Sequence, residues 1–191
     1  MKPLEKAPSE WKCSLMTGGI RRDGVAAEAS WQLSLPAPVL HWGLEYTIQG
    51  ALDVHSKASR TKDGLSVEIS VRGKLQIPCS RCLEITTLAI LGDLRYLFLL
   101  RSLISEQDTQ EELSEGEEEI VALDAWEDEL DLTPYIWETL IVSLPVGALC
   151  KEDCAGLCPQ CGCNQNTGSC DCPVSTGDPR FEVLRQMDCK D

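Results

Sequence analysis

The sequence has few of the residues from which catalytic sites are usually built. It contains two histidines, His41 and His55, and neither belongs to a Ser/His/Asp or Cys/His pattern typical of nucleophilic catalysis. It also lacks the G-x-x-x-x-G-K-S/T loop that binds nucleotide phosphates. Because these elements are missing, we predict a protein that is not an enzyme and has no small-molecule substrate.

Long apolar runs and clusters of basic residues are missing as well. No segment approaches the roughly 18 apolar residues of a membrane-spanning helix. The segment from Met1 to Lys12 lacks the apolar core of a secretory signal peptide. We therefore expect a cytoplasmic protein that does not enter a membrane. Sequence-independent binding of nucleic acids needs clustered Lys and Arg, so a nucleic acid is not favoured as a direct ligand.

One stretch contains no basic residue at all. Of the 31 acidic residues, 13 lie between Ser105 and Asp131, and the other 18 nearly cancel the 17 basic residues. Such a run is typical of a solvated loop, so we expect an acidic loop over 105–131. Its charge suits a basic protein partner. The predicted partner-binding residues are Glu111, Glu112, Glu117, Glu118 and Glu119.

Cysteine, in contrast, is abundant. Seven of the eleven cysteines lie between Cys150 and Cys172, and Cys79 and Cys82 form a separate Cys-x-x-Cys pair upstream. A Cys-x-x-Cys pair can place two thiolates around one tetrahedral ion, and two such pairs complete a site. The turn from Cys158 to Gly162 has the proline and glycine composition of a zinc knuckle. The pattern favours bound zinc.

Three other uses of cysteine are alternatives. Disulfide frameworks are typical of small secreted domains, and eleven cysteines cannot all pair with one another. Neither Cys-x-x-Cys pair lies in the βαβ pattern of a thioredoxin-like redox site. Iron–sulfur clusters use the same ligand but usually other spacings. These three readings remain open at the level of sequence.

Alternating apolar residues predict the fold. The alternation is brief at 31–35, sustained over 44–54 and 65–77, and resumes from Leu83 to Leu91, which predicts antiparallel strands with Cys79 to Cys82 in a turn between two of them. Residues 94–100 fit either a strand or a helix, and 120–123 fit a short strand. Thr133 and Pro134 begin a predicted helix over 133–144, with Thr133 as its N-cap.

These elements define an α+β fold class and three segments. We predict an antiparallel β-sheet, either a meander or a partly closed barrel, with one or two helices and a C-terminal zinc-ribbon-like module. The expected boundaries are a flexible N-terminal arm over 1–30, the sheet domain over 31–145, and a cysteine-rich zinc module with a C-terminal helix over 146–191.

Several of these features together resemble one bacterial family. They are the Cys79-Ser80-Arg81-Cys82-Leu83 turn after a β-hairpin, the acidic loop, the helix ending in Leu144-Pro145, the segment Cys154-Ala155-Gly156-Leu157-Cys158-Pro159-Gln160-Cys161-Gly162, and Asp178-Pro179-Arg180. The chain from about Trp31 onward is similar to the YceD family, the large ribosomal RNA subunit accumulation proteins. The resemblance implies a factor in ribosome biogenesis that is not an enzyme. Cys163 departs from the family pattern, so we leave it outside the ligand set.

The cysteines are predicted to hold two zinc ions. One site would be local, formed by Cys158, Cys161, Cys170 and Cys172; the other would be long-range, formed by Cys79, Cys82, Cys150 and Cys154. A single zinc bound by Cys79, Cys82 and two later thiols is the alternative. Cys13 and Cys189 are predicted to be free thiols.

Three functions compete. The first is an assembly adaptor that binds a basic ribosomal protein or another ribosome-assembly factor. The second is direct binding of ribosomal RNA through the metal module, with Arg81, Lys151 and Arg180 as phosphate contacts. The third is a thiol- or zinc-responsive regulator, which would require one labile cysteine site.

Overall fold

The protein is organised around one mixed β-sheet, seen in a computed structural model that describes residues 3–103 and 118–173. The elements in chain order are β1 (Ser14–Met16), α1 (Gly18–Asp23), β2 (Ala27–Leu33), β3 (Val39–His41), β4 (Leu44–Arg60), β5 (Gly64–Pro78), β6 (Ile85–Leu100), a 3-10 turn (Arg101–Leu103), β7 (Glu118–Leu123), β8 (Glu129–Asp131) and α2 (Thr133–Val142). This confirms the predicted α+β class.

The sheet is open rather than barrel-shaped. Its order is β2-β4-β5-β6-β7, with β3 beside β4, and the two end strands do not pair with each other within the described residues. The pairs from β2 to β6 are antiparallel, whereas β7 runs parallel to β6. Strands β1 and β8 form a separate antiparallel pair. The meander alternative is therefore the better description.

The core lies on one face of the sheet, under α2. Alternate residues of β5 are almost fully buried, as the period of two requires when one face of a sheet is covered. Ile136 and Leu140 of α2 are fully buried against this face. Gly92 permits the close approach, because a Cβ there would lie 3.0 Å from the Thr139 carbonyl oxygen. Trp126 and Trp137 pack against the same core.

The N-terminal segment is part of this core, which corrects the prediction of a flexible arm over 1–30. Trp11, Cys13, Leu15 and Ile20 are buried, and β1 pairs with β8. The Trp11 indole donates a hydrogen bond to the Ser34 carbonyl (3.1 Å). Trp11, Cys13 and Leu15 alternate with the exposed Lys12 and Ser14, but this alternation is too short to predict a buried strand without knowledge of its distant partners.

Parts of the predicted acidic loop are ordered strands. Strands β7 and β8 lie within 105–131, and β7 contains the short strand predicted at 120–123. Residues 104–117, which include Glu111, Glu112 and Glu117, lie outside the described residues. The predicted C-terminal helix and Cys189 also lie outside them, since the description stops at residue 173.

The start of α2 differs from the predicted N-cap. Thr133 is the first helical residue, and its N–H donates to the Asp131 carboxylate (2.9 Å). Its hydroxyl instead accepts a hydrogen bond from the Cys13 N–H (3.2 Å). The pairing of β1 with β8 brings Cys13 to this position, so a tertiary contact replaces the local cap. None of the described helices has the length and apolarity needed to cross a membrane.

Candidate metal centres

The first cysteine pair lies in the tight turn between β5 and β6. Cys79 donates its N–H to the Glu84 carbonyl (2.8 Å), and Leu83 donates to the Cys79 carbonyl (3.0 Å). The Arg81 N–H points at the Cys79 sulfur (3.5 Å). Leu83 has a positive φ of 61°. The turn requires this left-handed conformation, which is energetically unfavourable for a residue other than glycine. The turn thus directs both sulfurs to one side.

The chain after α2 is held against this turn by hydrogen bonds. The Tyr46 hydroxyl donates to the Pro145 carbonyl (2.8 Å) at the end of the helix. Ser80 N–H then donates to the Ala148 carbonyl (2.8 Å), and Ala148 N–H donates back to the Ser80 hydroxyl (3.3 Å). These contacts deliver Cys150 and Cys154 to the strand turn.

The four sulfurs of this first tetrad have the spacing of a tetrahedral metal site. The sulfurs of Cys79, Cys82, Cys150 and Cys154 all lie within 4.8 Å of one another. Cys79 Sγ is 3.7 Å from Cys154 Sγ, and Cys82 Sγ is 3.6 Å from Cys150 Sγ. Tetrahedral zinc with Zn–S bonds of about 2.3 Å would separate its ligands by about 3.8 Å. The four sulfurs are therefore spaced so that they could bind one metal ion as thiolates.

The first tetrad is surrounded by groups that fix its geometry. Asn166 donates its side-chain amide to the Cys154 sulfur (3.3 Å) and accepts the Ala155 N–H (2.9 Å). The Arg81 guanidinium donates to the Cys154 carbonyl (2.9 Å). Gly156 has a positive φ of 77°, and a Cβ there would lie 3.2 Å from the Arg81 carbonyl oxygen. Outer contacts of this kind orient metal ligands.

Electrostatics in the first tetrad favour binding of a cation. Backbone N–H groups of Cys82 and Arg81 lower the pKa of Cys79 to about 6. Contact with Cys154 raises the pKa of Cys150 to about 12. The opposite directions arise because ionisation of one thiol opposes ionisation of its neighbours. A divalent ion would relieve that repulsion and hold all four sulfurs as thiolates.

A second tetrad lies beyond the first and is more exposed. The sulfurs of Cys158, Cys161, Cys170 and Cys172 also lie within 4.8 Å of one another. Backbone N–H groups of Cys161 and Gln160 lower the pKa of Cys158 to about 6. Gly162 N–H donates to the Cys158 carbonyl (2.9 Å), which closes the knuckle.

The structure brings the eight cysteines together in the same two groups that sequence spacing predicts. Each of the ten cysteines in the described part of the chain is a free thiol rather than half of a disulfide. Cys13 is buried outside both tetrads, and burial raises the pKa of its thiol. Two features were missed from sequence. Asn166 contacts Cys154, and the Cys163 carbonyl accepts a hydrogen bond from the Cys158 N–H (2.8 Å). The Cys-Asn-Gln-Asn run after Gly162 was their only signal.

Of the predicted partner-binding residues, Glu118 and Glu119 are described and lie in β7. Burial, and then the negative charge of Glu138 on α2, raise the pKa of Glu119. Glu138 also accepts a hydrogen bond from the Tyr96 hydroxyl (3.1 Å). A pair of acidic side chains therefore lies where β7 meets α2.

Comparison with known proteins gives the family. A relative from Arabidopsis thaliana, "Large ribosomal RNA subunit accumulation protein YCED homolog 1, chloroplastic", is 27% identical over 160 residues, covering 73% of this chain and 48% of that protein. An uncharacterised protein of Mycobacterium tuberculosis is 30% identical over 145 residues, covering 74% of this chain and 65% of that protein.

The chain thus spans about half to two thirds of the length of these relatives. No solved structure matches it significantly. The family model described as "Large ribosomal RNA subunit accumulation protein YceD" matches residues 67–188, which is more than half of the chain and includes all eight cysteines of the two tetrads. The chain therefore belongs to the YceD family.

Proposed function

We propose that this protein is a cytoplasmic, zinc-stabilised adaptor that supports accumulation of large-subunit ribosomal RNA by binding a basic ribosomal protein or another assembly factor. It would act without catalysis. Family membership supports the link to ribosomal RNA. The proposal of a zinc-stabilised structure rests on the spacing of the first tetrad. In it, sulfurs from a strand turn and from the chain after α2 lie within 4.8 Å of one another.

The chemistry of the two tetrads supports zinc as the resident ion. Each offers four thiol groups and no oxygen ligand, a donor set that selects zinc or an iron–sulfur centre rather than magnesium or calcium. The knuckle at Cys79 and the knuckle at Cys158 both direct backbone N–H groups at their first sulfur. When bound, zinc would neutralise thiolate charge and join distant segments of chain.

The charge of the protein supports a basic protein as partner. The net charge is −14, and 13 of the acidic residues lie in one stretch without a basic residue. Charge complementarity of this kind mainly accelerates association and sets orientation.

Within the described residues, the outer face of the sheet does not present a basic surface that would favour RNA instead. Arg72 binds Asp93 through a hydrogen-bonded ion pair of 2.7 Å, and Arg95 binds Glu68 at 2.8 Å. Since these guanidinium groups are neutralised by carboxylates on neighbouring strands, the described part of the sheet offers little uncompensated positive charge to phosphates.

The predicted phosphate contacts also have other roles. Arg81 holds the Cys154 carbonyl, and Lys151 lies 3.8 Å from the Asp153 carboxylate. Arg180 lies outside the described residues. The local basic face that direct RNA binding needs is therefore not supported by Arg81 or Lys151.

The decisive experiment is capture of partners by the tagged full chain, with and without RNase treatment. Capture of a specific basic protein in both samples supports the adaptor. Loss of all partners after RNase treatment refutes it and favours direct RNA binding. Elemental analysis of the reduced protein tests the metal, and iron or no metal in a folded sample contradicts zinc.

The acidic stretch can be tested separately. Replacing residues 111–119 with a neutral linker of equal length should slow association with the captured partner, most strongly at low salt, because long-range attraction is lost. A matched variant in which the same number of outer-face acids is neutralised controls for net charge. Unchanged association in the linker variant removes the stretch from the mechanism.

A further inference from the structure

A loop of the second tetrad contacts the first tetrad. Asn166 lies between Cys161 and Cys170 in the chain, and both of these cysteines belong to the second tetrad. The Asn166 side-chain amide nevertheless donates a hydrogen bond to the sulfur of Cys154, a member of the first tetrad (3.3 Å). A residue carried by the loop of one set of thiols therefore contacts a thiol of the other set.

The other hydrogen bonds of the Asn166 amide fix its orientation. Its oxygen accepts the Ala155 N–H (2.9 Å), so its nitrogen faces the Cys154 sulfur. The same nitrogen also donates to the side-chain oxygen of Asn164 (2.9 Å). Both hydrogens and the oxygen of the amide are thus in use. A hydrogen bond donated to sulfur stabilises the thiolate, which is the form that binds a metal ion.

Main-chain contacts hold this loop against the segment that joins the two tetrads. The Gln165 N–H donates to the Gly156 carbonyl (2.9 Å), and Asn164 forms a β-bridge with Leu157. The Gly168 N–H donates to the Asn164 carbonyl (3.1 Å), which closes a tight turn. The side chain between these residues is therefore placed by the backbone of the loop.

The chain after this turn has fewer anchors. Residues 168–173 form no helix or strand, and the Gln160 side chain donates to the Pro173 carbonyl (2.8 Å) at their end. An ion in the second tetrad would fix this part of the loop to the knuckle that holds its other end. A filled second tetrad therefore restricts Asn166 to its position beside the Cys154 sulfur.

We propose that Asn166 couples the two metal centres, so that metal bound at the second tetrad strengthens metal binding at the first. This inference rests on the zinc sites of the proposed function. The coupling is reciprocal, because the free energy that links two binding equilibria is the same from either site. Loss of an outer contact to a metal ligand typically lowers metal affinity by about 10- to 100-fold, so we expect a coupling of about tenfold.

The test measures occupancy of the first tetrad alone. Full-length reduced protein is held at a series of free zinc concentrations set by a chelator, and alkylation of the exposed Cys150 thiol is followed by mass spectrometry, since metal binding protects it. Asn166→Ala and Cys170→Ser should each raise the free zinc concentration for half-protection by about tenfold. The double variant should need no more zinc than either single variant, because the same interaction is lost only once.

Three further measurements isolate the hydrogen bond. Asn166→Asp can still accept the Ala155 N–H but donates nothing to the sulfur, so it should weaken the first tetrad at least as much as Asn166→Ala. Gln165→Ala is the matched control, because Gln165 is exposed and joins the loop through its main-chain N–H, and it should leave half-protection unchanged. With Co²⁺ saturating both tetrads, Asn166→Ala should shift the sulfur-to-metal absorption to longer wavelength, since the sulfur electron pairs lose a stabilising hydrogen bond.

The coupling and the metal sites can fail separately. Additive shifts in the double variant, about hundredfold in total, would overturn the coupling and leave both metal sites in place. An unchanged half-protection concentration in either single variant, or in Asn166→Asp, would overturn it as well. Fewer than two equivalents of zinc in the wild-type chain would overturn the proposed two-metal protein together with this inference.

Discussion

Removal of one sulfur from the strand turn tests the long-range metal centre directly. Cys79 is fully buried, and its sulfur lies 3.7 Å from that of Cys154, a residue 75 positions later in the chain. In Cys79→Ser we expect metal content to fall from two equivalents to about one. The sheet domain should also lose stability, because the end of β5 is no longer joined to the chain after α2.

The size of the expected effect follows from the loop that a bound ion would close. By the chain-entropy relation used for cross-links, closing a loop of 75 residues restricts the unfolded chain by about 4.5 kcal/mol. Closing the segment from Cys158 to Cys172 gives about 3 kcal/mol by the same relation. The long-range centre is therefore worth about 1.5 kcal/mol more by this effect, and it also acts on the whole sheet.

Thermal unfolding followed by circular dichroism, together with elemental analysis, measures both quantities. A loss of about 4.5 kcal/mol in a chain of this size lowers Tm by about 10–15 °C. Cys170→Ser should release one equivalent, but the loop that it opens contains no strand of the sheet, so the loss should fall on the local module and the Tm of the sheet should stay within about 5 °C of wild type. Cys13→Ala is the control for loss of a buried thiol, since Cys13 lies outside both tetrads, and it should keep two equivalents.

The reasoning would be refuted if Cys79→Ser kept both its metal content and its Tm, because the long-range centre would then not exist. An equal fall in Tm for Cys79→Ser and Cys170→Ser would contradict the argument from loop length. It would show that both ions stabilise one cooperative unit.

Two further variants test particular contacts. Gly156→Ala places a Cβ 3.2 Å from the Arg81 carbonyl at a positive φ, so it should weaken the first centre and speed removal of its zinc by a chelator; unchanged kinetics would contradict this. Glu119→Gln removes a carboxyl group whose pKa is raised by burial and by the charge of Glu138. Since its ionised form disfavours folding, the variant should have a higher Tm at pH 7, and the gain should shrink as pH falls through the raised pKa; Glu138→Gln provides the comparison.

The strands were predictable where one face of the sheet packs on the core and the other meets solvent. Residues 44–54 and 65–77 alternate for this reason, and they lie in β4 and β5. Residues 94–100 were ambiguous, since they are apolar on both faces. They form the end of β6 because β5 lies on one side and β7 on the other. That choice depends on pairing with distant segments, which local pattern does not contain.

The grouping of the eight cysteines was predictable for a different reason. Spacing alone limits which thiols can meet, and the strand turn leaves Cys79 and Cys82 without local partners. Asn166 and Cys163 could not be placed in the same way. Their positions depend on the Leu157 to Asn164 bridge, and the burial of Trp11 likewise depends on Trp137, whose ring centroid lies 6.0 Å away. Contacts between segments outside the regular strands and helices leave no sustained periodic pattern in the sequence, so these contacts could not be predicted.

The long-range centre and the acidic stretch are connected by the order of the chain. The loop closed between Cys79 and Cys154 contains β6, the acidic residues of 105–131 and α2. Both ends of that loop are fixed when the first tetrad holds its ion. Loss of the ion would release the end that follows α2. The strands and the helix that flank the acidic residues would then be held less rigidly, although no acidic residue binds the ion. Partner capture should therefore weaken in Cys79→Ser more than in Cys170→Ser, whose local loop contains none of these residues.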